Sequence, residues 1–368
     1  MIRLGIAGIG LIAEDYIRII SNGYVKDVKI TALSSRNIDN MNRVVEKYNL
    51  KETVLFNNYE EMLISNKIDA VIICTPHYEH PKMAIKAIKS NVHTLIEKPI
   101  GVYTEEVEKL IEVSKDKINI KAGVLYNRRL CSTYLKLKSM VDKDAIGDLK
   151  RVNWIITNLY RTDAYYKSSP WRGTYKSEGG GLLMTQASHQ LDLLQWICKM
   201  PKKIYSKCYI GVERDIEVEN DVSILMEYEN GATGQFIASA REFPGSNRLE
   251  LIGDKGQIVV ENDNKIIYKK LSISEKEYRK NTNELFGKIP YTTEVYRFED
   301  DDNSIQHAAL ISNFIKCIKG EENIVCPIED GMKSLVLING AYLSSWLNKT
   351  IDIPFDYKVF SEEIKKRF

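Results

Sequence analysis

Apolar positions in the first third of the chain fall in short runs separated by stretches of helical spacing. Ile2 to Ala7, Val28 to Leu33, Ile68 to Cys74, Val92 to Glu97 and Ile118 to Leu125 read as strands, with helices such as Pro81 to Ser90 and Thr104 to Ser114 between them. Nearly continuous apolar strands alternating with helices predict a doubly wound parallel sheet covered on both faces. Thr104 followed by Glu105 and Glu106 marks a helix start with carboxylates in its first turn. After about residue 150 the rhythm changes to longer β-prone stretches: Arg151 to Tyr160, Ile204 to Gly211, Val222 to Tyr228, Thr233 to Arg241, Arg248 to Ile252 and Gln257 to Glu261. Turn-like Glu229-Asn230-Gly231 and Gly253-Asp254-Lys255-Gly256 join some of them, so a large, mostly antiparallel sheet is expected. Helices are expected over Gly181 to Met200, Ile305 to Ile318 and Gly331 to Trp346, which makes this region α+β. The pattern predicts an α/β chain of two domains, residues 1–125 and 126–368.

Composition narrows the function. At 368 residues with 44% hydrophobic side chains, the chain is long enough for two cores. Lys plus Arg total 52 against 50 acidic residues, so a net charge of +2 offers no field for nucleic acid or an anionic membrane. No apolar run approaches the roughly 18–20 residues of a membrane span, and the chain opens directly on strand sequence, so a cytoplasmic protein is expected. Cys74, Cys131, Cys198, Cys208, Cys317 and Cys326 show no CxxC spacing and are expected as free thiols in a reducing compartment. His77, His80 and His93 lack a carboxylate at helical or hairpin spacing, and no catalytic metal is expected. Glu299 to Asp302 and Lys365 to Arg367 read as solvated loop and tail.

Candidate chemistry begins at Gly8-Ile9-Gly10-Leu11-Ile12-Ala13, which follows the first strand. The first glycine suits a tight turn, the second lets backbone approach a pyrophosphate, and the small Ala13 suits helix-on-strand packing. Gly8, Gly10, Leu11 and Ile12 are therefore expected at a dinucleotide, with its phosphates on a helix N-terminus. Two later strands end in Thr75-Pro76-His77 and Glu97-Lys98-Pro99, at the carboxyl ends where such sheets bind ligands. Thr75, Pro76 and His80 are expected beside the cofactor, Glu97 as acceptor from a ribose hydroxyl, and Lys98 facing the reacting group. The plainer alternative for Lys98 is a surface lysine ahead of a strand-ending proline.

Ser177 to Asp192 carries three glycines, Gly179 to Gly181, then Thr185, His189 and Asp192. On one helix starting near Gly181 these three polar residues share a face. A lone histidine on an amphipathic helix usually packs structurally, but a polar stripe behind three glycines points to a site. At the end of the second strand, Ala32-Leu33-Ser34-Ser35-Arg36-Asn37 lacks the carboxylate that usually reads an adenosine ribose. Ser35 and Arg36 instead suit a 2′-phosphate, which favours NADP; in the alternative, Arg36 stacks on adenine and the cofactor is NAD.

Together, Gly8 to Ala13, Glu97-Lys98-Pro99 and Gly179 to Asp192 resemble the glucose-fructose oxidoreductase / inositol dehydrogenase / rhizopine catabolism family over essentially the whole chain. The resemblance implies a Rossmann domain followed by a domain with an open sheet. It also implies NAD(P)-dependent redox on sugars, polyols or their derivatives, and a homodimer or homotetramer through that sheet. Lys98 matches the family's catalytic lysine and His189 its catalytic histidine. Many members carry Asp four residues before that histidine, where this chain has Thr185 followed by Gln186. Threonine is no general base at neutral pH, which leaves Lys98 and His189 as the proton-handling pair, Thr185 as a hydrogen-bonding group and Asp192 as an orienting or packing residue. By the same resemblance Trp171-Arg172 lie near the nicotinamide and Arg161 and Tyr165 on the substrate side, where Gln186 and Asp192 are also expected; Asn127 and Tyr126, which follow the last strand of the first domain, are expected at cofactor and substrate respectively. The alternative for the tyrosine-rich stretch is ordinary strand and loop packing. Two other activities are compatible with these motifs: glycosidic elimination through transient oxidation with a recycled NAD, and a nicotinamide-responsive regulator without turnover.

Overall fold

The computed structural model describes residues 1–299 and 302–368. The chain forms two compact units. One comprises Met1–Leu130, Ser177–Gly179 and Asp301–Leu335, the other Cys131–Lys176, Gly180–Asp300 and Val336–Phe368.

The first unit holds strands β1 (Ile2–Ala7), β2 (Val28–Ser34), β3 (Val54–Phe56), β4 (Ala70–Ile73), β5 (His93–Ile96) and β6 (Ala122–Val124). All pair in parallel, in the order β3-β2-β1-β4-β5-β6. That is the dinucleotide-binding order, with its crevice beyond the carboxyl ends where β1 meets β4. Leu4, Ile6, Ala70, Ile72 and Leu95 are buried from the sheet, and Ala13, Tyr16, Ile17 and Ile20 come from the helix Leu11–Ser21. The helix Asn303–Ile318 adds Leu310, Ile311, Phe314 and Ile315 to this same core. A single cut at residue 125 therefore does not describe the molecule. The apolar stripe of a helix about 180 residues downstream belongs to the first core, a pairing that no local pattern reveals. The helix Thr104–Lys115 starts as expected with Glu105 and Glu106 in its first turn.

The second unit is built on β7 (Leu149–Ile156), β8 (Lys203–Ile210), β9 (Glu219–Glu227), β10 (Thr233–Ser239), β11 (Asn247–Gly253), β12 (Gly256–Glu261), β13 (Lys265–Leu271), β14 (Tyr291–Arg297) and β15 (Ile351–Asp352). Their order is β14-β13-β12-β11-β7-β10-β9-β8-β15, antiparallel except for the parallel pair β7 and β10. Alternation fixes the register: Val152, Trp154 and Ile156 are buried while Arg151 and Ile155 are exposed. Lysines at 265, 269 and 270 hide β13 from a reading of hydrophobic runs.

The expected helix over residues 181–200 is two helices, Leu182–Thr185 and Ser188–Cys198, parted at Gln186-Ala187. The Lys365 to Arg367 tail is not simply solvated: the Arg367 guanidinium lies 4.0 Å from the Trp346 ring centroid, and Lys366 pairs with Glu363 at 2.5 Å. The Glu299 to Asp302 run lies partly outside the described residues. Among the described residues no helix is long and apolar enough to cross a membrane, and no group of three or more His, Cys, Asp or Glu is arranged to hold a metal ion.

Candidate active site

In the first unit the turn after β1 depends on Gly8. Its φ is +85°, and a Cβ there would lie 2.8 Å from the carbonyl carbon and oxygen of Cys74, on the neighbouring strand's exit. Gly10 is the opposite case. A Cβ on it would meet nothing within 4 Å, and as N-cap of Leu11–Ser21 it provides no side chain to the first-turn N–H groups. Donors left without a side-chain partner at an open helix end fit a pyrophosphate. Leu11 is largely exposed beside them, Ile12 half-buried, and Ala13 fully buried against the sheet.

At the end of β2, the Ser35 hydroxyl accepts from the Asn37 N–H at 3.2 Å. Arg36 is exposed and, among the described residues, has no ion pair or hydrogen bond. The neighbouring cations are already committed: Arg43 and Lys47 bond Glu14 at 2.6 and 2.7 Å and hold its carboxyl down at about 2.

The loops after β4 and β5 are pinned from within. His80 is fully buried, its Nδ1 2.8 Å from the Pro99 carbonyl and its Nε2 2.7 Å from the Thr75 carbonyl. Both neighbours only accept. A protonated ring would serve both, but burial outweighs this and lowers the pKa, so the neutral ring donates to one carbonyl and abuts the other. His80 thus holds the two loops together from inside instead of facing a cofactor. Glu97, expected at a ribose, is likewise buried: one carboxyl oxygen accepts from the Tyr16 hydroxyl, the other from the Lys98 N–H at 2.9 Å. Burial raises its pKa, with Lys98 pulling the other way. Thr75 is half-buried and Pro76 exposed.

Sequence reasoning missed two contributors from Asn303–Ile318. His307 packs edge-on against Tyr16 at 5.2 Å, and burial takes its pKa down to about 4, so it is neutral at neutral pH. Gln306 accepts from the Asn127 side chain at 3.0 Å. Adjacent Gln306 and His307 just ahead of the apolar run Ala308 to Ile311 are the available signal. Asn127 is therefore buried, and Tyr126, expected at the substrate, is wholly enclosed with its hydroxyl donating to Ser334 at 3.1 Å.

In the second unit the glycines allow a close approach. A Cβ on Gly180 would stand 2.2 Å from the Tyr342 hydroxyl, and one on Gly181 2.2 Å from the Glu219 carbonyl oxygen. The fully buried Glu219 carboxyl accepts from the Gly181 N–H at 3.1 Å, the Leu183 N–H at 2.8 Å and the Tyr342 hydroxyl at 2.8 Å. It supplies the cap that the glycines lack. Burial pushes its pKa up to about 7 against these three donors. The helix break ends the expected single face for Thr185, His189 and Asp192. Thr185 donates its hydroxyl proton to the Gly181 carbonyl at 2.8 Å, and His189 stands half-buried in the first turn of Ser188–Cys198. Asp192 is fully buried and accepts from Gln195 at 3.2 Å.

Gln186 donates to the Tyr165 hydroxyl at 2.8 Å. Arg172 also donates to that hydroxyl, and its guanidinium lies 4.2 Å from the Tyr165 and 4.4 Å from the Trp171 ring centroids. Arg161 lies 5.2 Å from the Tyr165 centroid. The structure thus gathers three of the anticipated residues, Arg161, Arg172 and Gln186, around the phenol of a fourth, Tyr165, with Arg172 also over the Trp171 ring.

Residues 2–124 match the model of an oxidoreductase family with an NAD-binding Rossmann fold, and residues 134–259 match the GFO/IDH/MocA C-terminal domain. The chain belongs to the GFO/IDH/MocA family. It is 23% identical to the myo-inositol 2-dehydrogenase of Thermotoga maritima over 340 residues, 91% of this chain and 93% of that protein. It is 24% identical to mouse trans-1,2-dihydrobenzene-1,2-diol dehydrogenase over 71% of this chain and 74% of that one. Among solved structures, levoglucosan dehydrogenase with NADH superposes with a TM-score of 0.81 at 16% identity, over 96% of this chain and 100% of that one. The WlbA dehydrogenase of Bordetella pertussis with NADH and UDP-GlcNAcA gives 0.78 at 22%, over 96% and 99%. Within this family the open end at Gly10 and the strand order belong to an NAD-binding domain.

Proposed function

We propose that this protein is an NAD(P)-dependent dehydrogenase or reductase acting on a secondary alcohol or ketone of a sugar, polyol or sugar derivative. The observation that supports it most is the seating of Lys98. It follows β5 at the crevice end of an NAD-binding sheet, with its backbone fixed by Glu97 and Glu97 fixed by Tyr16. Bound nicotinamide supplies the hydride acceptor or donor. In oxidation the carbinol hydroxyl proton passes to Lys98 Nζ, and His189 shares that proton. Thr185 donates its hydroxyl hydrogen bond to the Gly181 carbonyl and is no base.

At the ribose end, the missing carboxylate after β2 and the unpaired Arg36 support NADP over NAD. NADH fills the levoglucosan dehydrogenase and WlbA structures, so both cofactors enter the test. Exposed Ile155, Leu225 and Val295 lie on the outer face of the large sheet and support a homodimer or homotetramer through it.

The test follows reduced-nicotinamide absorbance with aldoses, inositols, anhydrosugars and keto-sugars under NAD and NADP, for wild type and Lys98→Met. Net turnover lost in Lys98→Met with cofactor binding intact is expected. Near-wild-type activity of that variant overturns the role of Lys98, and tight cofactor with no net change on any substrate favours the elimination reading.

A further inference from the structure

We infer that Glu219 is a positioning residue for the redox reaction: from the first position of β9 it sets the place of residues 181–189, the segment that carries Thr185 and His189. This rests on the preceding reading in taking His189 as a proton carrier. It goes further by naming the group that fixes where His189 stands.

The hydrogen bonds form one chain. Gly181 is held on both sides of its backbone. Its N–H faces the Glu219 carboxyl at 3.1 Å and the Tyr342 hydroxyl at 3.3 Å, and its carbonyl accepts from the Thr185 N–H at 3.0 Å and the Thr185 hydroxyl at 2.8 Å. The Leu183 N–H donates to the other Glu219 oxygen at 2.8 Å. Both neighbours of Leu182 are therefore tied to one carboxyl. The Leu182 carbonyl in turn accepts from the Ala187 N–H at 2.7 Å, and the Ala187 carbonyl from the Gln190 and Leu191 N–H groups at 3.1 and 3.0 Å. His189 lies within that last turn, so its backbone hangs from residues that Glu219 holds.

The short helix cannot keep this place alone. Leu182–Thr185 is a single turn, too short to persist on its own hydrogen bonds, and its N-cap Gly181 has no side chain. Serine or aspartate is the ordinary residue at such a position, but a Cβ there would stand 2.2 Å from the Glu219 carbonyl oxygen. The backbone is pressed against β9, and a carboxyl from β9 takes over the capping. A fully buried carboxyl is a costly cap for one turn of helix. It suits a turn whose exact place matters, because a displacement of about 1 Å removes most of the effect of a proton carrier. The next two residues of β9 serve other segments: the Asn220 side chain bonds the Val212 N–H and carbonyl at 2.9 and 2.8 Å, and Asp221 accepts from Arg241 at 2.8 Å.

The experiment uses the full chain without ligand, isotope-labelled in its histidine rings, and reads the His189 ring signals by NMR. With five histidines in the chain, His189 is assigned by the signals lost in His189→Gln. Glu219→Gln should shift or split the His189 signals. Tyr342→Phe keeps the ring stacked on Trp346 at 5.3 Å and keeps the Glu219 carboxyl, and should move them less. Asp221→Asn removes a carboxylate two residues along the same strand and should leave them in place. In the reduced-nicotinamide assay, on the panel sugar that wild type turns over fastest, Glu219→Gln should lower kcat about 10–100-fold with KM changed less than about threefold. His189 signals unmoved in both Glu219→Gln and Tyr342→Phe, with only a lower melting temperature, overturn the inference and leave Glu219 a packing residue. An equal shift in Asp221→Asn also overturns it, since the effect is then one of charge and not of place. Should Glu219→Gln fail to fold, Tyr342→Phe decides. A wild type that turns over no sugar counts against the redox reading, while the His189 signals, read without ligand, still decide what Glu219 does.

Discussion

The two units treat their polar groups in opposite ways. In the first, nearly every polar residue near the ends of β4 and β5 is answered from inside the same unit: His80 by two carbonyls, Glu97 by Tyr16 and Lys98, Asn127 by Gln306. In the second, Glu219 is satisfied threefold under the glycine segment, but a few residues away Arg161, Arg172 and Tyr165 hold donors that nothing answers among the described residues. A domain that binds one invariant cofactor gains by fixing its backbone rigidly, because recognition there runs through N–H groups and a helix end.

The contrast between the units breaks most visibly at Lys98. Lys98→Met should cut turnover by about 10²–10⁴, the usual contribution of a positioned proton carrier, with little change in cofactor affinity or melting temperature. Steady-state rates and nicotinamide fluorescence read the two sides of that statement.

The next effect concerns stability. Gly8→Ala forces a methyl into the Cys74 backbone at positive φ and should cost roughly 1–3 kcal/mol in urea unfolding. Gly10→Ala enters open space at φ −105° and should leave stability nearly unchanged while weakening cofactor. Equal effects at both positions would remove the distinction between a structural glycine and a ligand-facing one.

The pH dependence separates the units further. Glu219, at about 7 in the fold against an ordinary value of 4.5, contributes stability that is present below 4.5 and lost as pH rises through 7. His307, at about 4 against 6.5, contributes stability that is present above 6.5 and lost as pH falls toward 4. Each slope is about 1.4 kcal/mol per pH unit within its window at most. Amide exchange at about pH 5 and about pH 8 should show the Glu219 segment loosening in alkali and the His307 helix loosening in acid. Glu219→Gln abolishes the first slope, and, because both oxygens face N–H donors, it also costs about 1–3 kcal/mol at about pH 5. Absence of any slope change in that variant would place the titration elsewhere.

The smallest expected effect is at Arg36. Arg36→Ala should lower the preference for NADP over NAD by about tenfold, read as a ratio of kcat/KM values. An unchanged ratio returns Arg36 to the role of an adenine-stacking side chain.

Much of this is legible in the order of residues alone. The Gly8 turn, the parallel strands and the alternation of Val152, Trp154 and Ile156 are local constraints of sterics and period, written within a few residues of where they act. The cluster of Arg161, Tyr165 and Arg172 is also visible, because its members lie close together along the chain. Tyr126, Asn127, Glu97 and His80 read as ligand contacts because polar residues at strand ends usually are, yet burial turns each inward. Helical spacing puts Thr185 and His189 on one helix because it runs on through Gln186 and Ala187, where the structure breaks it.

The sequence by itself determined the class of fold, the turn at Gly8 and the position of Lys98 at a strand end, since these depend on short-range geometry. Only the tertiary structure decided what fixes them. Glu219 reaches Gly181 across 38 residues, and Gln306 reaches Asn127 across 179. Such pairs form because a buried donor or acceptor must find a partner wherever the packed chain brings one, and no local pattern records which partner that is.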